Sequence, residues 1–368
     1  MDFSLRPVAF LDLPGWRDDD PTPLFGAMRA CLGQITTIKP YRTGSLGIEA
    51  TELAGIFAMA GQTDARSPQE ARRFFEEYFQ PARIVRHDGK PGFVTAFYEP
   101  EVDVSDKPDG EWRYPFYSRP DDLVDIDDAT RPEELDSTYM FARRMEDGSL
   151  ALYADRSEID QGFLEGRGLE IAWARSRIDV FFAHVQGAAR LRFPNGTVKR
   201  ITYAAKAGHA FSAIGKLLVE RGEIPLSEIS MGSIRAWLGS HKDAVSEVLW
   251  HNRSYIFFRE AEVLDDSLGP IAAAKVPLVA GRSLAVDRRI HTFSTPFYIH
   301  SESLRYLDDG RPFQRLMMAL DTGTAIVGPS RGDIFTGSGV RAGDLAGNVR
   351  NDADFTILVP KGAIGRLI

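Results

Sequence analysis

Between residues 275 and 360 the apolar runs are short, and each is cut by glycine or proline. The runs in 275–300 and 316–360 therefore predict short strands closed on themselves in a β-barrel, not the longer alternating elements of a parallel α/β sheet. The front of the chain reads differently. Apolar spacing predicts helices near 22–31, with Asp18–Asp20 and Pro21 as the cap, at 49–60, and at 67–79 behind Ser67-Pro68. Residues 82–99 predict two strands around an Asp88-Gly89 turn. From 100 to 128 the composition shifts to proline and aspartate, a plausible domain crossing. Beyond it, 178–203 reads as a β-hairpin turning at Pro194-Asn195-Gly196. Helices are predicted at 209–221, at 226–238 and at 241–249 (the last capped by Ser240), then a strand at 253–261. The whole predicts a mostly β fold with α+β character and N-terminal helices.

A chain of 368 residues is long enough for two or three domains, and 43% apolar content supports a sizeable core. The net charge of −8 and the lack of a basic, aromatic-interleaved stretch disfavour nucleic acid as a partner. No apolar run approaches the roughly 18 residues that span a bilayer, so no transmembrane segment is expected. Cys31 is the single cysteine, which excludes an internal disulfide and a zinc site of cysteines. No signal peptide is visible in the first 30 residues. A lipid-anchored Cys31 is disfavoured by the Asp18–Asp20 run, and a free thiol is the expectation.

The seven histidines form no recognisable ligand pair, and residues 121–128 lack the glycine and terminal glutamate of a calcium loop. No metal and no cofactor is expected. What remains is carboxylate chemistry. Asp287, Asp321 and Asp333 each follow or precede strand-like apolar residues. A carboxyl partly desolvated at such a point, with a like charge nearby, has the raised pKa that a general acid needs. An aspartate at a strand end also caps turns, so each alone is weak. The stretch 321–335, DTGTAIVGPSRGDIF, holds two of the three around a glycine-rich turn. Tyr98 reads as an aromatic for a sugar face or as a rim tyrosine. His184 and Gln186 read as hydrogen-bonding partners of sugar hydroxyls or of the backbone.

These segments resemble a known family. AVDRRI (285–290), DTGTAIVG (321–328), RGDIFTGSG (331–339) and AGDLAG (342–347) are similar to the 3D domain, named for three aspartates. VTAFYEP (94–100), PFYSRPDDLV (115–124), LEIAWARSRIDVFFAHVQG (169–187), IGKLLVERGEI (214–224) and AWLGSHKDAVSEVLWHNRSYIFFRE (236–260) resemble, in order, the membrane-bound lytic murein transglycosylase A family. The resemblance implies a double-psi β-barrel built from 1–99 and 262–368, an inserted β-rich glycan-binding domain over 100–261, and a groove at their interface. It implies non-hydrolytic cleavage of the β-1,4 bond between N-acetylmuramic acid and N-acetylglucosamine in peptidoglycan, giving 1,6-anhydromuramic ends. Asp333 matches the aspartate that serves as acid and then base. Asp321 is expected to tune or brace it, and Asp287 to support the barrel turn. The implied glycan-binding set is Thr95, Tyr98, Glu99, His184, Gln186, Lys206, Gly323 and Gly337. The implied location is the periplasm or the outer membrane, and the implied partners are glycan strands and proteins of cell-wall synthesis or division.

The chain departs from the family's pattern at Ala96-Phe97, at Gly187-Ala188-Ala189, at Ala205-Lys206-Ala207-Gly208-His209, and at Thr336, where an aromatic often stands. These changes fall in elements expected to contact glycan and spare Asp333. Two alternatives follow: a glycan-binding or scaffold protein with impaired catalysis, and a hydrolase of another β-linked polysaccharide.

Overall fold

The computed structural model describes residues 2–62, 67–263 and 265–367. The chain divides into two units, Met1–Tyr98 with Val263–Ile368, and Glu99–Glu262.

The first unit begins with β1 (Phe3–Pro7) and three helices, α1 (Leu24–Gly33), α2 (Ala50–Gln62) and α3 (Pro68–Tyr78). α3 starts as its sequence predicts. The Ser67 hydroxyl accepts the Glu70 N–H at 3.3 Å, Pro68 occupies the first turn, and Ala71, Phe74 and Phe75 face the core. Pro23 stands at the start of α1 without a side-chain cap, and of the expected Asp18–Asp20 cap only Asp20 contributes, its Oδ1 accepting the Thr22 N–H at 3.0 Å in the turn before the helix. Asp19 is instead buried. It pairs with Arg282 at 2.8 Å and accepts the Leu316 N–H at 2.8 Å, which ties the N-terminal turns to the barrel described below. Cys31, on α1, is a buried free thiol. β2 (Phe79–Arg86) and β3 (Gly92–Glu99) flank the turn at Asp88-Gly89.

The second unit contains β4 (Glu101–Ser105), β5 (Tyr114–Tyr117), β6 (Leu123–Asp125), β7 (Phe141–Arg144), β8 (Leu150–Ala151), the single turn α4 (Arg156–Glu158), β9 (Glu170–Ala174), α5 (Arg177–Gln186), β10 (Ala188–Arg192) and β11 (Val198–Lys206). It closes with α6 (Ile214–Glu220), α7 (Met231–Ser240), α8 (Val245–Trp250) and β12 (Ile256–Glu260). Six strands form a sheet in the order β12-β11-β10-β4-β9-β5, and an isolated bridge between Ser118 and Phe258 joins its two edges. β6, β7 and β8 form a small separate sheet.

Two local expectations fail here. Residues 177–186 are helical rather than the first arm of a hairpin, and the hairpin is β10–β11. Ser176 caps α5 by accepting the Asp179 N–H, and Gly187 ends it in the left-handed region at φ 75°. The Val180-Phe181-Phe182 run looks like a strand because α5 is buried on several sides, so its apolar residues are contiguous. Ser240 does not cap the next helix. It is the last residue of α7, and its hydroxyl turns back to the Ala236 and Trp237 carbonyls.

The chain then returns to the first unit with β13 (Ser283–Ala285), β14 (Pro296–Ser301), β15 (Phe313–Asp321), β16 (Arg331–Ser338), α9 (Val340–Ala346), β17 (Arg350–Pro360) and the short α10 (Ile364–Leu367). The pairings β17-β14-β15-β13-β16-β3 run in series, and β3 also pairs with β17. Six strands therefore close into a ring. The ring is completed by β3 from the N-terminal part of the chain, with Arg350 opposite Thr95 and Ala353 opposite Gly92. β2 and β1 extend from the other half of β17. Phe297, Leu316, Met318, Leu320, Ile334, Ile357 and Leu358 are fully buried in the core of this unit. The whole is a sheet-rich α+β fold. Among the described residues no helix is long and apolar enough to cross a membrane, and no group of three His, Cys, Asp or Glu is arranged to hold a metal.

Candidate active site

β13 lies between β15 and β16. Ala285 is in register with Asp321 through a parallel pairing and with Asp333 through an antiparallel one. Side chains of directly opposed residues share a sheet face. Asp321 and Asp333 therefore stand on one face of the barrel wall, two strand spacings apart, about 10 Å between backbones.

Asp333 is the third residue of β16 and is partly exposed. The Thr95 hydroxyl on β3 donates to its Oδ1. Arg331, two residues earlier and so on the same face, donates from Nη2 to the Thr95 oxygen at 2.6 Å. Arg331 also reaches the Gly332 carbonyl and lies over the Phe93 ring at 5.4 Å. Burial pushes the Asp333 carboxyl above the usual range, while the Thr95 hydrogen bond and the Arg331 charge act in the opposite direction. Gly332 is required by packing. A Cβ there would lie 2.9 Å from Leu284 Cδ1 and 3.0 Å from the Phe355 ring.

Asp321 ends β15. Burial pushes its carboxyl up to about 6, against the N–H groups of Thr322 and Ala273, and the Asp333 charge adds to the rise. Its Oδ1 accepts the Ala273 N–H at 3.1 Å. Asp287 has a different environment. It is 4% exposed, and its carboxylate accepts the Gly328 N–H at 2.9 Å, the Arg289 N–H at 3.1 Å and the Arg289 guanidinium at 3.2 Å. Burial opposes ionisation, yet these donors outweigh it and hold the carboxyl below its ordinary range. Asp287 thus joins the 287–291 turn to Gly328, whose φ of 111° only glycine adopts easily. Gly323 is exposed in the loop between β15 and β16, and Gly337, at φ 119°, lies near the end of β16.

The remaining expected sugar contacts are more dispersed. Tyr98 is buried, its ring against the backbone of α9, where a Cβ at Gly343 would lie 2.8 Å from it. It packs as a core residue and does not present a ring face to solvent. Glu99, His184, Gln186 and Lys206 all belong to the second unit. Glu99 is 0% exposed and is held by Arg190 at 3.0 Å and Arg200 at 3.5 Å, so it serves as a buried ionic anchor rather than a surface ligand. His184, expected to face sugar hydroxyls, is 4% exposed on the inner face of α5. Its Nδ1 lies 3.0 Å from Arg156 Nη1, and its ring meets Tyr255 at 4.4 Å. An arginine has no acceptor, so Nδ1 must accept. Burial, and then the Arg156 charge, keep the imidazole neutral. Gln186 and Lys206 are partly exposed at the ends of α5 and β11.

The alanines that depart from the family pattern at 188, 189, 205 and 207 are all buried, and His209 is fixed by the Tyr153 carbonyl at 2.8 Å. Those side chains act on packing, not as lost surface contacts. The Thr336 hydroxyl reaches the carbonyls of Phe97 and Ala342 and joins β16 to β3 and α9. Arg331 escaped sequence reasoning. Its only signal was alternation, since residues 331 and 333 of a strand share a face.

Residues 93–259 match the model described as "MltA specific insert domain", and residues 282–359 match that of the "3D domain". The chain is 33% identical over 261 residues to the membrane-bound lytic murein transglycosylase A of Escherichia coli K12, in a match spanning 69% of this chain and 61% of that protein. The crystal structure of a membrane-bound lytic murein transglycosylase from Agrobacterium tumefaciens is 60% identical, with a TM-score of 0.94 over 99% of this chain and 100% of that one. MltA from Neisseria gonorrhoeae (monoclinic form) is 29% identical, with a TM-score of 0.79 over 98% and 94% of the two chains. With two family models in sequence and a solved relative matched along its whole length, the chain belongs to the membrane-bound lytic murein transglycosylase A family.

Proposed function

We propose that this protein is a lytic transglycosylase of peptidoglycan, with Asp333 as its single acid and base. The observation that carries the reading is the environment of Asp333. It is a partly exposed carboxyl, raised by burial, directly held by one hydroxyl donor, with no salt bridge to its own oxygens among the described residues. Such a group is protonated at higher pH than an ordinary aspartate and can give the proton up.

In the proposed reaction the Asp333 carboxyl donates its proton to the glycosidic oxygen between N-acetylmuramic acid and N-acetylglucosamine. The bond from C1 to that oxygen breaks, and the N-acetylglucosamine end leaves with a hydroxyl. The Asp333 carboxylate then takes the C6 hydroxyl proton of the muramoyl sugar as O6 bonds to C1. The 1,6-anhydro ring closes and the acid is restored without water. An intramolecular nucleophile removes the need for a second carboxylate, because proximity supplies what that group would do. Asp321, itself raised by burial and by the Asp333 charge and tied to the Ala273 N–H, then braces the end of β15 beside the acid.

The closed ring of six strands supports a double-psi barrel for the first unit, and the insert match supports a glycan-binding role for the second. Gln186, Lys206 and Gly323 remain the solvent-reaching positions assigned to glycan, while Gly337 is buried at the end of β16 beside Ala280 and Ala342. The relatives' name supports association with a membrane facing peptidoglycan.

A second reading, hydrolysis, draws on the placing of Asp321 and Asp333 on one face, since ordinary glycosidases work with two carboxyls. Digestion of purified sacculi followed by mass spectrometry separates the readings. Ends carrying 1,6-anhydromuramic acid support transglycosylation, and reducing ends overturn it in favour of hydrolysis. Retained binding without release leaves a glycan-binding protein.

A further inference from the structure

The Thr95 hydroxyl has one proton and sits between two partners. Arg331 Nη2 lies 2.6 Å from its oxygen, and Asp333 Oδ1 lies on its other side. A guanidinium has only donors, so the Thr95 oxygen must accept from Arg331. The single hydroxyl proton is then left for Asp333 Oδ1. An oxygen that receives this proton is a poor place for the carboxyl's own proton.

We propose that Arg331 is a positioning residue for the acid: by donating to Thr95 it locks the Thr95 hydroxyl onto Asp333 Oδ1, so that Oδ2 is the oxygen that carries, delivers and recovers the catalytic proton. This rests on the reading of Asp333 as the acid and base. The lock is built from three strand positions, two on β16 and one on β3. Strand alternation places Arg331 and Asp333 on one face, and Arg331 is itself restrained by the Gly332 carbonyl and the Phe93 ring. A carboxyl with a fixed proton-bearing oxygen is preorganised toward one bond of one substrate, which is the condition for efficient general acid catalysis.

The charged groups around Asp333 are few. Arg331 lies on its own strand, and Asp321 stands beyond β13 with Lys275 acting on it. Arg350 on β17 is the exposed register partner of Thr95. Removing Arg331 or the Thr95 hydroxyl withdraws groups that favour the carboxylate, so Asp333 should hold its proton to higher pH.

The test is carboxyl-carbon NMR of the full chain labelled with ¹³C at aspartate Cγ, with the Asp333 signal assigned by its loss in Asp333→Asn. Arg331→Met and Thr95→Val should each move the Asp333 titration up by about one pH unit. Thr95→Ser should keep the parent value. In the double variant the shift should fall short of the sum of the two, because part of the Arg331 effect runs through Thr95 while its charge acts directly. The falling, high-pH limb of murein cleavage should move with the titration. An unmoved titration in Arg331→Met overturns the proposal, as does full additivity, which would make Arg331 a remote charge only. If Arg331→Met loses its near-UV circular dichroism, Arg331→Ala takes its place, and an unmoved titration there overturns the proposal. Titrations that shift in a protein that cleaves no murein would overturn the functional reading and leave the lock standing.

Discussion

Asp321 and Asp333 are both register partners of the same residue, Ala285, one on each side of β13. The strand between them keeps the carboxyls from sharing a proton by direct contact, yet leaves each within the other's field. Their roles are therefore unequal. Asp333 meets one hydroxyl on Oδ1 and keeps its other oxygen clear of it, whereas Asp321 is tied to the backbone N–H of Ala273.

Asp333→Asn should lower murein cleavage by a factor on the order of 10³ or more. Asparagine keeps the Oδ1 acceptor for Thr95, so the melting temperature should stay at or above that of the parent. Turnover on sacculi with a parallel thermal melt checks both halves, and residual activity within a few-fold would remove Asp333 from the chemistry.

Asp321→Asn should weaken activity by about tenfold without abolishing it. Asparagine keeps an Oδ1 acceptor for the Ala273 N–H, so the brace at the end of β15 survives while its charge is removed. Stability should change in the opposite sense to activity. The Asp321 carboxyl is raised from 3.8 to about 6 in the fold, so its stabilising contribution is complete below about pH 4 and is lost as pH rises through 6. The variant should gain in melting temperature over the parent at pH 8, and that gain should vanish by pH 4.

Gly332→Ala places a methyl 2.9 Å from Leu284 and 3.0 Å from Phe355, two neighbours fixed in the barrel core. Overpacking of this kind costs about 1–3 kcal/mol. Because residue 332 adjoins Asp333, urea unfolding should show the loss while turnover falls further than stability alone explains. Unchanged turnover in the folded fraction would show that the acid tolerates displacement of its strand.

His184→Leu removes the acceptor of Arg156 inside the second unit, leaving a buried donor of a charged group unpaired. The expected loss is about 2–4 kcal/mol in urea unfolding. Affinity of the folded fraction for soluble glycan strands should remain that of the parent, measured by calorimetry below the unfolding range. A specific loss of glycan affinity would return His184 to the binding surface.

Local signals in the chain were reliable where one residue sufficed to state them. Ser67-Pro68 announced α3, Asp88-Gly89 marked the turn between β2 and β3, and the glycine-cut runs after 275 pointed to a barrel. Signals that depend on distant partners were not. The Asp18–Asp20 run looked like a cap because its charge pattern suits one, but Arg282 claims Asp19 from more than 260 positions away. Val180-Phe181-Phe182 looked like a strand because burial of α5 hides its period. The site divides in the same way. Motif order picked out Asp333, while the Arg331–Thr95–Asp333 arrangement depends on a contact 238 residues apart in sequence. His184 and Glu99 were polar residues in a promising motif, and only packing shows that Arg156 takes the first and Arg190 with Arg200 the second.

The ring of the first unit cannot close until β17 reaches β3, and its acid reaches Thr95 only when β16 has been made. An insertion of more than 160 residues separates the two halves. During synthesis the insertion can collapse first, since it has hydrophobic clusters of its own, while β3 waits for partners not yet translated. A chain interrupted before residue 331 would carry the Thr95 hydroxyl and no acid for it to hold. Placing Asp333 late in a discontinuous barrel thus ties the Thr95–Asp333 contact to closure of the ring, so that it forms in one late step rather than growing with the chain.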